Sequence, residues 1–235
     1  MQNNFQILST KKLSNSLVNV VEKNNISIDQ VSFIETEEII STEIKKRISE
    51  LSTQSRTVVF TSSKSVTAVS KMIQGNVFWK IFCIEPATKK LVAKVFGGEQ
   101  ISDSATSATD LAAKIISNDS IKKIIFFCGD QRRDVLPEIL KDHKIDIEEI
   151  VVYKTVNTPQ LLHKLYDGIL FFSPSGVKSF FTLNKIKKSA TIFTIGNTTA
   201  EAVKLFSDAK IVIAENPDSE QLVTQVINYF NSKNL

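Results

Sequence analysis

Val59-Phe60-Thr61-Ser62-Ser63-Lys64-Ser65-Val66 returns later in the chain as Leu170-Phe171-Phe172-Ser173-Pro174-Ser175-Gly176-Val177, with Ser62 falling on Ser173 at an offset of 111 residues. The same offset carries Ile84-Glu85-Pro86-Ala87-Thr88 onto Ile195-Gly196-Asn197-Thr198-Thr199, and Leu111 onto Leu222, without a gap. A second repeat runs at an offset of 119, from the segments at 7–10 and 26–36 to those at 126–129 and 145–155. The chain therefore reads short half, long half, short half, long half. Solenoids and propellers repeat every ~20–50 residues. A period more than twice that predicts two similar globular domains instead.

Between these landmarks, short apolar runs alternate with stretches of helical period. Strands are expected at 5–9, 31–36, 57–61, 81–85, 123–128, 149–156, 168–172, 191–195 and 210–214, all short and rich in Ile, Val and Phe. Apolar stripes at Leu13, Leu17, Val20 and Val21, at Val66, Val69 and Ile73, at Leu111, Ile115 and Ile116, and at Leu222, Val226 and Ile227 predict helices. Strand–helix alternation of this kind makes parallel sheets covered by helices. Ligands bind such sheets beyond the carboxyl ends of the strands. Residues 31–36 and 149–156 end the two short halves and are expected to pair as a two-stranded connector between domains.

The recurring hydroxyls sit where a strand gives way to a helix. Thr61-Ser62-Ser63 and Ser173-Pro174-Ser175 open helices, as do Ala87-Thr88 and Thr198-Thr199. Ser and Thr cap helix N-termini by accepting from an otherwise unpaired amide. Helix N-termini also attract carboxylates and phosphates. Read singly, each hydroxyl is a cap. Read as pairs related by duplication, they point to an anion-binding cleft.

Composition narrows the field. The chain of 235 residues is 42% hydrophobic and 23% charged, which suits a packed core. Its 29 basic and 25 acidic residues leave a net charge of +4, a bias that fits an anionic ligand and is too weak to argue for nucleic acid. Lys185-Ile186-Lys187-Lys188 reads as a solvated loop or helix end. Cys83 and Cys128 lie in apolar runs and are expected as buried, reduced thiols. There is no G-x-G-x-x-G, no P-loop and no G-x-S-x-G elbow, which counts against a dinucleotide site, a nucleotide phosphate loop and an α/β-hydrolase. His143 and His163 lie in polar stretches without neighbouring ligands, so no metal is expected. Residues 1–5 lack the basic start of a signal peptide. No apolar stretch approaches the roughly 20 residues that span a bilayer. A cytoplasmic monomer without membrane or nucleic-acid partners is the expectation. Two function classes stay open on the residues alone. One is a non-catalytic two-lobed module binding a small anionic ligand; the other is a two-domain transferase using a nucleotide-linked donor.

An ordered set of motifs resembles the uroporphyrinogen-III synthase family. It comprises Phe60-Thr61-Ser62, Cys128-Gly129 followed by Arg132-Arg133-Asp134-Val135-Leu136-Pro137, Val152-Tyr153-Lys154-Thr155, Phe172-Ser173-Pro174-Ser175-Gly176-Val177, Ile195-Gly196-Asn197-Thr198-Thr199-Ala200 and Ala214-Glu215-Asn216-Pro217. The resemblance covers nearly the whole chain. It implies an α/β fold of two flavodoxin-like domains, each a doubly wound parallel sheet, joined by a two-stranded β linker. Residues 1–35 and 155–235 would form one discontinuous domain and 37–150 the other, with linker strands near 31–36 and 149–156. It implies closure of linear hydroxymethylbilane to uroporphyrinogen III, with loss of water and inversion of ring D, in tetrapyrrole (haem) biosynthesis. No cofactor and no metal are implied. Tyr153, at the Val-Tyr-x-Thr position, is implied as proton donor to the departing hydroxyl, a task a phenol can perform as a weak general acid. Thr61, Ser62, Ser63, Lys64, Thr88, Gly129, Ser173, Pro174, Ser175, Gly176, Gly196, Thr198 and Thr199 are implied to bind the tetrapyrrole, with Lys154 and Lys178 adding charge. Three positions depart from the family pattern. Ser9-Thr10-Lys11 stands for a Thr-Arg-Pro-like turn, Glu85 for a glycine, and Phe172 for a commoner threonine. A glutamate at an anion-facing turn is expected to repel substrate carboxylates.

Overall fold

Runs such as Val58-Val59-Phe60 and Ile124-Ile125-Phe126-Phe127 are apolar at every position, the signature of a strand buried on both faces. In the computed structural model, which describes residues 5–132 and 134–233, such runs form the centres of two sheets. In chain order the elements are β1 (Phe5–Ser9), α1 (Asn15–Lys23), β2 (Ile26–Gln30), β3 (Ile34–Glu38), α2 (Thr42–Ser52), β4 (Arg56–Phe60), α3 (Ser63–Ser70), β5 (Trp79–Ile84), α4 (Ala87–Phe96), β6 (Ile101–Ala105), α5 (Ala108–Ile116), β7 (Lys123–Gly129), α6 (Val135–Asp142), β8 (Asp146–Asn157), β9 (Gly168–Phe171), α7 (Pro174–Leu183), β10 (Thr191–Thr194), α8 (Asn197–Lys204), β11 (Lys210–Ile213) and α9 (Ser219–Asn231).

The chain divides into two compact units: a terminal unit of residues 1–35 with 156–235, and a middle unit of residues 36–155. The terminal unit holds a five-stranded sheet in the order β2-β1-β9-β10-β11, with every neighbouring pair parallel. The middle unit holds the corresponding order β8-β7-β4-β5-β6, also parallel, with β3 added beside β8. Each unit is thus a doubly wound sheet whose chain direction switches beside its first central strand: the terminal unit has the flavodoxin-like order 2-1-3-4-5, and the middle unit, counted from β4, has 3-2-1-4-5, a circular permutation of it. That switch lies between β1 and β9 in the terminal unit and between β7 and β4 in the middle unit. β3 and β8 run antiparallel, because Ile39 N bonds Val152 O at 2.9 Å while Thr158 N bonds Phe33 O at 3.0 Å.

Alternate residues of each strand feed opposite layers, as the pleat requires. In the middle unit Val58, Phe60, Ile125 and Phe127 pack with α2, α3 and α4 side chains, whereas Val59, Phe126 and Cys128 pack with α5 and α6. Trp79 is buried in the first of these layers and donates Nε1–H to Leu51 O at 2.9 Å. In the terminal unit Ile7, Leu170 and Phe193 face α1 and α9, and Leu8, Ile169, Phe171 and Ile192 face α7 and α8.

Several sequence expectations need correction. The strand expected at 31–36 is Ile34–Glu38: Phe33 is buried in the core and Val31 N is tied to Ser9 O at 3.0 Å, so the connection bends there. Val20 is 47% exposed and does not belong to the buried stripe of α1. Leu13 precedes the helix, its amide held by Gln30 Oε1 at 2.7 Å. The strands β2 and β6 were not anticipated. Both cysteines are free and buried, and burial pushes each thiol up to about 11.

Candidate functional site

At the carboxyl ends of the central strands, short turns lead straight into helices. In the middle unit β4 runs into α3 through Thr61 and Ser62. Ser62 is the N-cap, its hydroxyl accepting from Lys64 N at 3.2 Å. In the terminal unit β9 runs into α7 through Phe172 and Ser173, whose hydroxyl accepts from Gly176 N at 3.1 Å. Pro174 occupies the first turn of α7, where its missing N–H costs nothing. Ser62 and Ser173 therefore spend their hydroxyls on capping.

The second turn of each unit is built differently. The helices α4 and α8 start at Pro86 and Gly196 without a side-chain cap. Thr88 and Thr199 are buried, Thr198 is exposed, and Ser63 Oγ lies 3.4 Å from Thr88 Oγ1, so the two turns of the middle unit meet. Gly196 has an extended backbone, and a Cβ there would meet nothing within 4 Å. Glu85 does not face the Ser63–Thr88 contact as an unpaired charge. Its Oε2 accepts from Ser104 Oγ at 3.0 Å and from Lys89 Nζ at 3.2 Å. The lysine, then the serine, hold its carboxyl below the usual range.

Tyr153 stands at the middle of this arrangement in the middle unit. Along β7 and β8 the register runs regularly to Cys128 opposite Val151, then slips so that Gly129 lies opposite Tyr153. This bulge, with Val152 as the extra residue, turns the tyrosine ring over Gly129. A Cβ on Gly129 would lie 2.5 Å from Cε2 and Cζ of the ring and 2.8 Å from its hydroxyl oxygen. Bulges commonly re-aim a side chain beside a functional site. Gly129 is buried beneath the ring, so its contribution is space rather than a ligand contact. Tyr153 lines a cavity of about 210 Å³ together with Thr36, Glu38, Ser63, Lys64 and Thr67. Of the expected residues, Tyr153, Ser63 and Lys64 thus share one cavity. Thr36, Glu38 and Thr67 were not anticipated; Glu38 is paired with Lys71 at 2.6 Å.

At the switch point of the terminal unit, Thr10 donates both its amide and its hydroxyl to Leu170 O, at 3.0 and 2.8 Å. This docks the turn after β1 onto the end of β9. Lys11 follows, its ammonium 5.4 Å from the centre of the Phe172 ring. The lysine and the phenylalanine, both departures from the family pattern, are in contact. Lys154 is paired with Glu37 at 3.1 Å. Arg132 is held by Glu149 and Asp134, which raises its pKa, the bond to Glu149 foremost. Arg133 lies outside the described residues. Among the described residues no cluster of three or more His, Cys, Asp or Glu is placed to hold a metal, and no helix is long and apolar enough to cross a membrane.

Comparison with known proteins decides the family. The family model described as uroporphyrinogen-III synthase HemD matches residues 13–224. The chain belongs to the uroporphyrinogen-III synthase family. The uroporphyrinogen-III synthase of Schizosaccharomyces pombe is 25% identical over 163 residues, covering 63% of this chain and 62% of that protein. That of Saccharomyces cerevisiae is 25% identical over 181 residues, covering 65% of each. The chain thus spans just under two thirds of the length of these curated relatives. The crystal structure of the uroporphyrinogen-III synthetase from Helicobacter pylori shares the fold, with a TM-score of 0.67 at 15% identity over 96% of this chain and 99% of that one.

Proposed function

We propose that the protein catalyses the uroporphyrinogen-III synthase reaction, closing hydroxymethylbilane to uroporphyrinogen III with loss of water and inversion of ring D. The match of the family model over residues 13–224 carries this reading. The site supports it. The substrate is a polycarboxylate, and both units place helix N-termini beside their switch points, with Lys11 and Lys64 as nearby cations.

In the reaction the carbon–oxygen bond of the hydroxymethyl group breaks, and its oxygen leaves as water with one proton from an acid. The substituted carbon of ring D attacks the azafulvene so formed. The spiro intermediate opens and recloses with ring D inverted, and the ring gives up one proton as the final carbon–carbon bond forms. Unaided, the azafulvene closes to the unrearranged isomer, so the protein's task is mainly to hold geometry. Positioning of this kind is worth up to about 7–11 kcal/mol.

In this reading Tyr153 donates the first proton from the cavity it shares with Ser63 and Lys64. Thr61, Ser62, Ser63, Ser173, Ser175 and Gly196 bring backbone amides to the ligand, while Pro174 and Gly176, whose amide is held by Ser173, shape the turn that presents them. Thr198 offers an exposed hydroxyl, whereas the buried Thr88 and Thr199 act through their helix starts. Family membership disfavours the binding-module and transferase alternatives. The test is to incubate the protein with hydroxymethylbilane, oxidise the products and resolve the isomers. Type III product supports the reading; type I alone, at the uncatalysed rate, overturns it.

A further inference from the structure

β3 lines one edge of β8, but on the other edge β7 ends at Gly129, opposite Tyr153. On that edge Asp130, the first residue past β7, carries the pairing two residues further. Its amide donates to Tyr153 O at 3.1 Å, and its Oδ1 accepts from Thr155 N at 2.9 Å. A carboxylate accepting a backbone amide makes a charge-assisted bond, stronger than the neutral ladder bond it replaces. The two bonds bracket Lys154 and hold the backbone on either side of the tyrosine. They act directly after the bulge that turns the ring over Gly129. The second falls on Thr155, the last residue of the middle unit.

From this geometry we infer that Asp130 is a positioning residue for Tyr153: it touches no reacting atom, and it fixes the backbone from which the phenol is aimed into the cavity. The inference rests on the acid role given to Tyr153 above. Gly129 and Asp130 divide the work, since the glycine makes room for the ring and the aspartate anchors the strand that carries it.

The experiment compares Asp130→Ala, Asp130→Asn and Tyr153→Phe, alone and combined, with three readouts on the full chain. Exchange of the Thr155 amide with solvent deuterium, read by NMR, should speed up about tenfold or more in Asp130→Ala, the loss of one hydrogen bond to a charged group. The value of kcat for type III product should fall about tenfold with KM within twofold, as expected when a reacting group is displaced rather than substrate binding lost. Asp130→Asn keeps an acceptor at the same place and should recover most of both. In the Tyr153→Phe background, Asp130→Ala should change kcat less than twofold, because the two act as one unit. Unchanged Thr155 exchange in Asp130→Ala overturns the clamp. An equal loss of kcat in both backgrounds shows that Asp130 acts through something other than Tyr153. Wild-type turnover in Tyr153→Phe sinks the acid role itself, a failure separate from the exchange result.

Discussion

Gly129→Ala is the most informative single substitution at this site. The new Cβ would fall 2.5 Å from two ring carbons of Tyr153, where carbon atoms settle at about 3.5–4.0 Å. Ring and strand must separate by roughly 1 Å to accept it. Gly129 has no positive φ, so the backbone itself accommodates alanine, and losing a glycine from a strand is otherwise favourable by about 0.5–1 kcal/mol. Overpacking costs about 1–3 kcal/mol. The net is a loss of up to about 2.5 kcal/mol, at roughly 4 °C in Tm per kcal/mol for a unit of this size. If the ring swings away instead, stability holds and type III turnover falls. Urea unfolding followed by fluorescence of Trp79, the chain's one tryptophan and part of the middle-unit core, reads the first outcome, and isomer analysis reads the second. In a Tyr153→Ala background the clash is absent, so Gly129→Ala should become neutral or stabilising by up to about 1 kcal/mol. The same destabilisation in both backgrounds, or no effect on either stability or turnover in the wild-type background, refutes the packing argument.

Other consequences are as direct. Arg47 grips Glu148 with two bonds, Nε to Oε1 at 2.6 Å and Nη2 to Oε2 at 2.8 Å, and this holds the Glu148 carboxyl below its ordinary 4.5. A depressed carboxylate contributes stability above its unfolded pKa and loses it as pH falls through the folded value. The advantage of wild type over Glu148→Gln, about 1 kcal/mol at neutral pH, should therefore close below pH 4.5, and a gap unchanged in acid denaturation scans refutes the assignment. Cys83 and Cys128, with thiols pushed up to about 11 by burial, should resist iodoacetamide at neutral pH in the native protein and both react once it is unfolded; rapid native labelling contradicts their burial. Lys11→Ala should raise KM for hydroxymethylbilane about fivefold, the upper range for an exposed ion pair, with kcat unchanged and Lys11→Arg restoring the affinity. An unaltered KM removes Lys11 from the substrate-binding surface.

What the sequence showed and what it concealed follow from burial. Central strands such as β4 and β7 are buried on both faces past their first residues and carry unbroken apolar runs there, which made them legible. The unanticipated β2 (Ile-Ser-Ile-Asp-Gln) and β6 (Ile-Ser-Asp-Ser-Ala) lie at sheet edges, where a strand needs fewer apolar residues and polar ones discourage further pairing. The hydroxyl turns were legible because a serine between an apolar run and a helical stripe has a local job, which Ser62 and Ser173 perform. The contact between Tyr153 and Gly129 was not. It joins residues far apart in sequence and depends on a one-residue slip between β7 and β8, and no local pattern announces such a slip.

The duplication explains why that slip matters. The offset of 119 places Thr10 on Gly129 and Lys11 on Asp130. In the terminal unit the threonine side chain ties its turn to Leu170 O, and the lysine reaches outward over Phe172. In the middle unit the same two positions are a glycine beneath the Tyr153 ring and an aspartate bonded to Tyr153 O and Thr155 N. The strand pairing moved as well. Phe5 pairs with Ile26 in the terminal unit, and the offset would carry this to Ile124 and Ile145, but Ile124 pairs with Ile147. A shift of two residues keeps every side chain on its face, so it preserves the core while sliding β8 along its neighbour. The single-residue bulge that follows does change face, and it does so at Tyr153. The two copies of this turn thus differ, one placing a lysine over Phe172 and the other a glycine beneath the Tyr153 ring. Placing the terminal unit's residue at the equivalent position, by Gly129→Thr, should therefore evict the Tyr153 ring and abolish type III turnover without unfolding the terminal unit, whose own threonine keeps its bond to Leu170.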